Sequence, residues 1–238
     1  HKRLTMSVAS PLPESFVMLL PSEYQTTPNP ADARKIIASF LLGGLFAILY
    51  AIPTLADTGF APWSVAKGVL LVASPSLADP NFHQSVVLIV EHGPNGTLGL
   101  ILNRSTKVLL SEALPNLTVL KGTTYHLFAG GPVEATRLHL LFRLREPPTE
   151  ARPLFDGVYV GGTPSVLERI IKQPKPTETF RAFAGYASWV PRQLEAEMHQ
   201  GAWAALPPDA GSIFDQDPAT LWKDSLRRLQ TPRVISSQ

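Results

Sequence analysis

The chain reads as a single α/β or α+β domain behind an apolar N-terminal segment, and three observations lead there. Short apolar runs, Val69–Ala73, Val86–Val90 and Leu98–Leu102, are separated by loops of specific turn chemistry. Strand-like and helix-like periodicities then alternate through the second half. With 45% hydrophobic residues in 238, there is enough apolar material for one sizeable core.

The elements follow in chain order. The first link carries Ser74-Pro75, Asp79-Pro80 and the polar group Asn81, His83 and Gln84; the second is the tight turn His92-Gly93-Pro94-Asn95-Gly96. Links this short favour antiparallel pairing. A short helix is expected near Ser111–Leu114, with Ser111 as its cap. His126–Ala129 reads as a strand ending in Gly130-Gly131-Pro132, and Leu138–Leu144 as another, followed by a Pro-rich loop over Pro147–Pro153. Val158–Val160 is a strand ending in Gly161-Gly162. Pro164–Lys172 is a helix, because Val166, Leu167, Ile170 and Ile171 recur at helical spacing behind a proline suited to the first turn. From Phe180 to Tyr186 the pattern is that of a strand. Pro191 to about Gln200 is a helix stopped by Gly201, and Leu221–Leu229 is a final amphipathic helix opened by Asp217-Pro218.

The first third has a different character. Residues 1–35 are rich in Pro, Ser and Thr and read as a disordered leader. Ile36–Ile52 has no charge; at about 17 residues it is at the short limit for a bilayer span. Arg34 and Lys35 before it and Asp57 after it orient such a span with the domain exported to the periplasmic side. Thr54-Leu55-Ala56 resembles a signal cleavage site, and a buried core helix is the remaining reading of the run. Residues 53–64 are then a linker, 65–230 the domain and 231–238 a tail.

Net charge is +2, without the basic stripe of a nucleic-acid binder; Arg227, Arg228 and Arg233 make only a modest basic tail. The absence of cysteine excludes disulfides, thiolate metal sites and cysteine nucleophiles. No H-E-x-x-H, G-x-S-x-G, G-x-G-x-x-G or Walker pattern occurs, so no catalytic residue, metal or cofactor is assigned. Glu91 and His92 end a strand, but adjacent strand residues point to opposite faces, which argues against a dyad. His83 with Ser85 or Ser74 and Asp79 can be drawn as a triad, although Asp79-Pro80 is an ordinary turn pair. Gly130-Gly131 and Gly161-Gly162 would let a backbone approach a phosphate, the second pair before a helix N-terminus, but tight strand-to-helix turns explain them more simply. Gly185-Tyr186-Ala187-Ser188-Trp189 is more suggestive. It joins a strand to a helix that Ser188 can cap, and Gln193 and Glu197, four apart, share a face of that helix. Asn103, Tyr186, Trp189, Gln193 and Glu197 are therefore the candidate ligand-binding residues around one cleft. The competing reading is that the aromatics close the core and the carboxylates are solvated.

Together these segments resemble the YqgE/AlgH family of bacterial proteins. The matching pieces are Ser74-Pro75 through Asp79-Pro80-Asn81-Phe82, Ser85-Val86-Val87 through Glu91-His92, Gly99 to Arg104, Gly130-Gly131-Pro132-Val133, Gly185 to Trp189, and Gln193-Leu194-Glu195 with Glu197 and Trp203. The resemblance implies a curved, barrel-like mixed sheet surrounded by helices and a cytoplasmic location. One branch of the family is linked to transcriptional regulation of alginate synthesis, and no catalytic residues carry over. The expectation is a non-enzymatic binding or regulatory module with a protein partner and membrane contact through Ile36–Ile52. The alternatives are an enzyme, hydrolytic or nucleotide-linked, using a cleft near Asn103, Tyr186 and Trp189, and direct action on DNA.

Overall fold

A computed structural model describes Met18–Leu19 and residues 65–144, 146, 149, 151–161, 163–172 and 180–230. The strands are β1 (Met18–Leu19), β2 (Leu70–Ala73), β3 (Val86–Gly93), β4 (Gly96–Ile101), β5 (Ser105–Leu109), β6 (His126–Ala129), β7 (Val133–Arg143), β8 (Arg152–Phe155), β9 (Val158–Val160), β10 (Phe180–Trp189) and β11 (Trp203–Leu206). The helices are α1 (Leu110–Ala113), α2 (Pro164–Ile171), α3 (Gln193–His199), α4 (Ala210–Phe214) and α5 (Pro218–Gln230).

The main path through the sheet runs β11-β2-β3-β4-β10-β7-β9-β8, with β6 and β5 branching from β10. Every pair is antiparallel except β6–β10. The sheet is open, ending at β11 and β8, and the class is α+β. This corrects the barrel expectation and the α/β alternative. Tight hairpins join β3 to β4 and β8 to β9, whereas β11–β2, β4–β10, β10–β7 and β7–β9 are neighbours that lie apart in the chain.

β10 is the spine. Phe180–Ala184 lies between β7 and the parallel β6, while Ala187–Trp189 pairs with β4. The register shifts at Gly185, between Ala184 and Tyr186. The extra residues, Glu134–Arg137, lie on β7, and the left-handed Gly185 opposite them changes the facing of β10. Phe180 and Ala182 pack with α1 and α2. Phe183 faces the core under α4 and α5. Ala187 and Trp189 face a third cluster with Leu194 and Trp203. One strand thus serves three cores.

The bulge requires glycine. Gly185 has φ +71, and a Cβ there would sit 2.6 Å from the Gly131 carbonyl oxygen. Gly131, at φ +156, would drive a Cβ into the Tyr186 backbone. Gly130-Gly131 is therefore a strand-to-strand switch between β6 and β7, where two backbones touch. The strand-to-helix explanation holds for Gly161, which follows β9 and precedes α2, while Gly162 lies outside the described residues.

Other local expectations are met with adjusted edges. α2 starts at Pro164, and the Thr163 hydroxyl accepts from the Val166 N–H at 3.4 Å. Leu109, not Ser111, precedes α1, and the Glu112 carboxylate accepts the Leu109 N–H at 3.0 Å. α5 begins under the Asp217 carboxylate, which accepts from the Ala219 N–H at 2.9 Å, and Trp222 pins the helix by donating to the Ala73 carbonyl at 2.8 Å. Sequence periodicity missed β5, β8, β11 and α4, all of five residues or fewer. The leader (apart from β1), Ile36–Ile52, the linker and the tail lie outside the described residues. Among the described residues no helix is long and apolar enough to cross a membrane.

The crossing gives a direct test. Gly185→Ala is expected to cost about 2–4 kcal/mol, combining left-handed strain with backbone overlap. Gly157→Ala, at φ +74 with nothing within 4 Å of its Cβ, should cost only about 1 kcal/mol. Urea denaturation of both variants checks this, and equal costs would show that the strand contact is unimportant.

Candidate functional site

Three of the five candidate residues come together. Trp189 at the end of β10 and Trp203 at the start of β11 both donate their indole N–H to Glu197 Oε2, at 2.9 and 2.8 Å. Glu197 Oε1 accepts from Gln193 Nε2 at 2.9 Å, and Gln193 Oε1 accepts the Val190 N–H at 3.0 Å. Phe82 stacks on Trp189 at 5.8 Å and meets Trp203 edge-on at 5.7 Å. The indoles are 3% and 4% exposed. Gln193 and Glu197 do share a face of α3, but it turns inward and locks that helix to two strands. Arg192, at φ +68, starts α3 in place of the expected Ser188, which stays in β10 with its side chain exposed.

Tyr186 stands elsewhere, because the Gly185 bulge turns it toward the core under α4 and α5. Its hydroxyl donates to Glu134 Oε1 at 3.1 Å, and Glu134 Oε2 pairs with Arg137 Nε at 2.7 Å. Burial, reinforced by Glu134, pushes its phenol up to about 12. His139 meets the Tyr186 ring edge-on at 5.7 Å and is 3% exposed. Burial first, then Arg137 and Arg152, holds its imidazole down at about 4, so it is neutral near pH 7. Glu91 is also on this side, paired with Arg152 at 3.1 Å.

His92 points the other way. Its Nδ1 lies 2.8 Å from Thr97 Oγ1, and its Nε2 lies 3.8 Å from Glu195. The strand alternation that argued against a Glu91–His92 dyad is what the geometry has. Nor do His83, Ser85 and Asp79 form a triad, since each is tied to the backbone of its own loop. Among the described residues no group of three His, Asp or Glu is placed to hold a metal ion.

Asn103 is a brace. Its Oδ1 accepts from the Val86 N–H and its Nδ2 donates to the Gln84 carbonyl, both at 2.9 Å. Arg104 donates to the His83 carbonyl at 3.2 Å. The pair holds the β2–β3 loop against the β4–β5 junction, with Gln84 at φ +52.

A cleft does open beside Asn103, but its other walls are not Tyr186 and Trp189. It is an open space of about 770 Å³ floored by Tyr125, Phe128, Phe180 and Phe214 and rimmed by Ser105, His126, Arg181, Asp215, Asp217 and Ala219. Arg181 ties the walls together. Its guanidinium lies 4.9 Å over Phe128 and donates to the Gln216 and Phe214 carbonyls at 3.2 and 3.5 Å. Burial lowers its pKa, and Asp215 and Asp217 act in the opposite sense. Arg143 pairs with Asp215 at 3.4 Å and lies 5.3 Å over Phe214. The strand pattern from Phe180 to Tyr186 gave Arg181 no functional role. The available signal was an arginine inside an otherwise apolar, aromatic-rich strand.

A family model described as AlgH-like matches residues 70–233. A UPF0301 protein of Myxococcus xanthus is 37% identical over 167 residues, covering 69% of this chain and 90% of the relative. One from Anaeromyxobacter dehalogenans is 35% identical over 179 residues, covering 71% and 90%. Among solved structures, a protein from Corynebacterium diphtheriae superposes with a TM-score of 0.61 at 25% identity, covering 72% of this chain and 90% of that one. The solution structure of the AlgH protein from Pseudomonas aeruginosa gives 0.58 at 28% identity, covering 72% and 94%.

Two measurements probe the polar interior. Glu197→Ala leaves two buried indole N–H groups without an acceptor and should cost about 2–4 kcal/mol, with a red shift in tryptophan emission. An unchanged emission maximum would show that the indoles do not depend on Glu197. For His139, the unfolded imidazole takes its proton near pH 6.5 while the folded one waits until about 4. Protons therefore favour the unfolded chain in that window. Stability should fall by about 2–3 kcal/mol between pH 7 and 4.5 and be recovered as pH rises. His139→Gln should lack that component in denaturation curves taken across the range.

Proposed function

This chain belongs to the AlgH-like family, and from that premise we propose that it is a non-enzymatic binding module whose cleft beside Asn103 receives an extended segment of a protein partner. The single observation that carries the reading is the composition of the cleft. It has an aromatic floor with a polar rim, and its one arginine is already bound to the protein's own carbonyls. Such a surface offers apolar pockets and hydrogen-bond partners to an extended peptide.

The distribution of reactive groups supports the same reading. Glu91 and His139 lie on one side of the sheet and His92 and Glu197 on the other, each engaged with a different neighbour. The edge of the cleft also suits a peptide: β5 pairs with β6 only at Ser105 and Leu109. A net charge of +2 gives little attraction for phosphate backbones, so any regulatory action is assigned to protein contacts rather than to DNA.

The test fills the cleft from exposed positions on its rim. Ser105→Trp and Ala219→Trp add bulk at exposed lining positions. Crosslinked capture from native cells should recover a partner with the unaltered chain and lose it about tenfold or more with either variant. Val190→Ser changes an exposed residue outside the cleft and should leave capture intact. A partner that binds all three variants equally would sink the assignment.

A further inference from the structure

β7 is bordered unequally. On one side β10 runs along it from Val133 to Phe142. On the other, β9 covers only Leu141–Arg143, and the Gly161 N–H bonded to the Leu140 carbonyl extends that cover by one residue. From Val133 to His139 the far edge has one strand partner among the described residues: Met18–Leu19, with Met18 opposite Leu138 and Leu19 opposite Arg137. Because β10 already occupies the near side at Leu138, β1 must lie on the β9 side, in line with it.

We propose that this open edge of β7 is a strand-addition site for the chain's own N-terminal segment, seated in cis, and that the leader and the domain therefore lie on the same side of any membrane. Three further facts support it. The leader contains one compact apolar run, Phe16-Val17-Met18-Leu19-Leu20, set off by Pro13 and Pro21. A short apolar run between prolines is a strand signature in its own right, independent of the pairing. The receiving edge carries no proline between Val133 and His139, whereas edge strand β8 is blunted by Pro153. Its two charges, Glu134 and Arg137, neutralise each other and so do not repel an entering strand. Backbone pairing of this kind needs little side-chain specificity.

The consequence is topological. If Ile36–Ile52 carried the chain once across a bilayer, residues 18–19 and β7 would be on opposite sides and could not pair. The cis pairing and a single crossing exclude each other, and the proposal selects the pairing.

The absence of cysteine makes the test clean. In the full chain, Leu19→Cys with Arg137→Cys places the only two thiols at opposed positions. Mild oxidation should give a monomeric, internally linked product as the main species. Leu19→Cys with Ser105→Cys, a pair not in register, should not. Failure to exceed that control, or a link between two chains, would overturn the cis assignment. Independently, Met18→Pro should speed amide exchange at Leu138, whose backbone faces the same edge as the Leu140 carbonyl, by about tenfold or more, since local protection follows local pairing. Exchange that matches the unaltered chain would overturn the proposal as well.

Discussion

Everything in this fold hangs on the contact between Gly185 in β10 and the Gly130-Gly131 switch. A strand can normally offer only two faces, one to each side of its sheet. β10 serves three hydrophobic clusters because the left-handed Gly185 reverses its alternation halfway along, opposite a bulge in β7. The reversal needs φ +71 and a backbone carbonyl 2.6 Å from where a side chain would start, so no residue larger than glycine fits without displacement. Upstream of the bulge, β10 organises β6, β7 and the helices over them. Downstream, it hands over to β4 and, through Trp189, to α3 and β11.

That arrangement explains what was legible in the sequence. The runs at Val69–Ala73, Val86–Val90 and Leu98–Leu102 were visible because, apart from half-buried Leu98, they are buried on both faces and read as continuous apolar segments. α2 was visible through Thr163-Pro164 and its spaced Val166, Leu167 and Ile170. The sheet's open form was not, because closure depends on which edges meet, and short elements such as β8, β9 and β11 carry no signal about their neighbours. The site was half legible for the same reason. Spacing put Gln193 and Glu197 on one helical face. It could not tell that the face turns inward onto two indoles, since the second, Trp203, comes from a strand too short to recognise. Tyr186 was drawn into the same group because Gly185–Trp189 read as a strand-to-helix junction, whereas β10 continues to Trp189.

The buried polar groups divide by how completely they are satisfied. Glu197 uses both oxygens on three donors, two of them indoles. A carboxylate with that complement is held in place, and it fixes α3 against β10 and β11 rather than waiting for a ligand. The Glu134–Arg137–Tyr186 and Glu91–Arg152 pairs do comparable work around a neutral His139. The cleft differs from both. Its floor is aromatic and its volume is open, while Asn103 and Arg181 hold its walls through hydrogen bonds to backbone carbonyls.

Stillness is what a recognition surface of this kind needs. The cleft walls come from β5, β6, β10 and the α4–α5 turn, segments remote in sequence that Asn103 and Arg181 tie together by hydrogen bonds to backbone carbonyls. A preformed site spares a ligand the entropy of ordering it, so modest contacts suffice for specific binding. Its position also matters. The cleft opens on the β6 side of β10, whereas the open edge of β7 lies beyond the opposite neighbour. With two strands between them, a segment paired on β7 leaves the cleft sterically free. The domain therefore holds its own leader on one border without sacrificing the surface that a partner would use on the other.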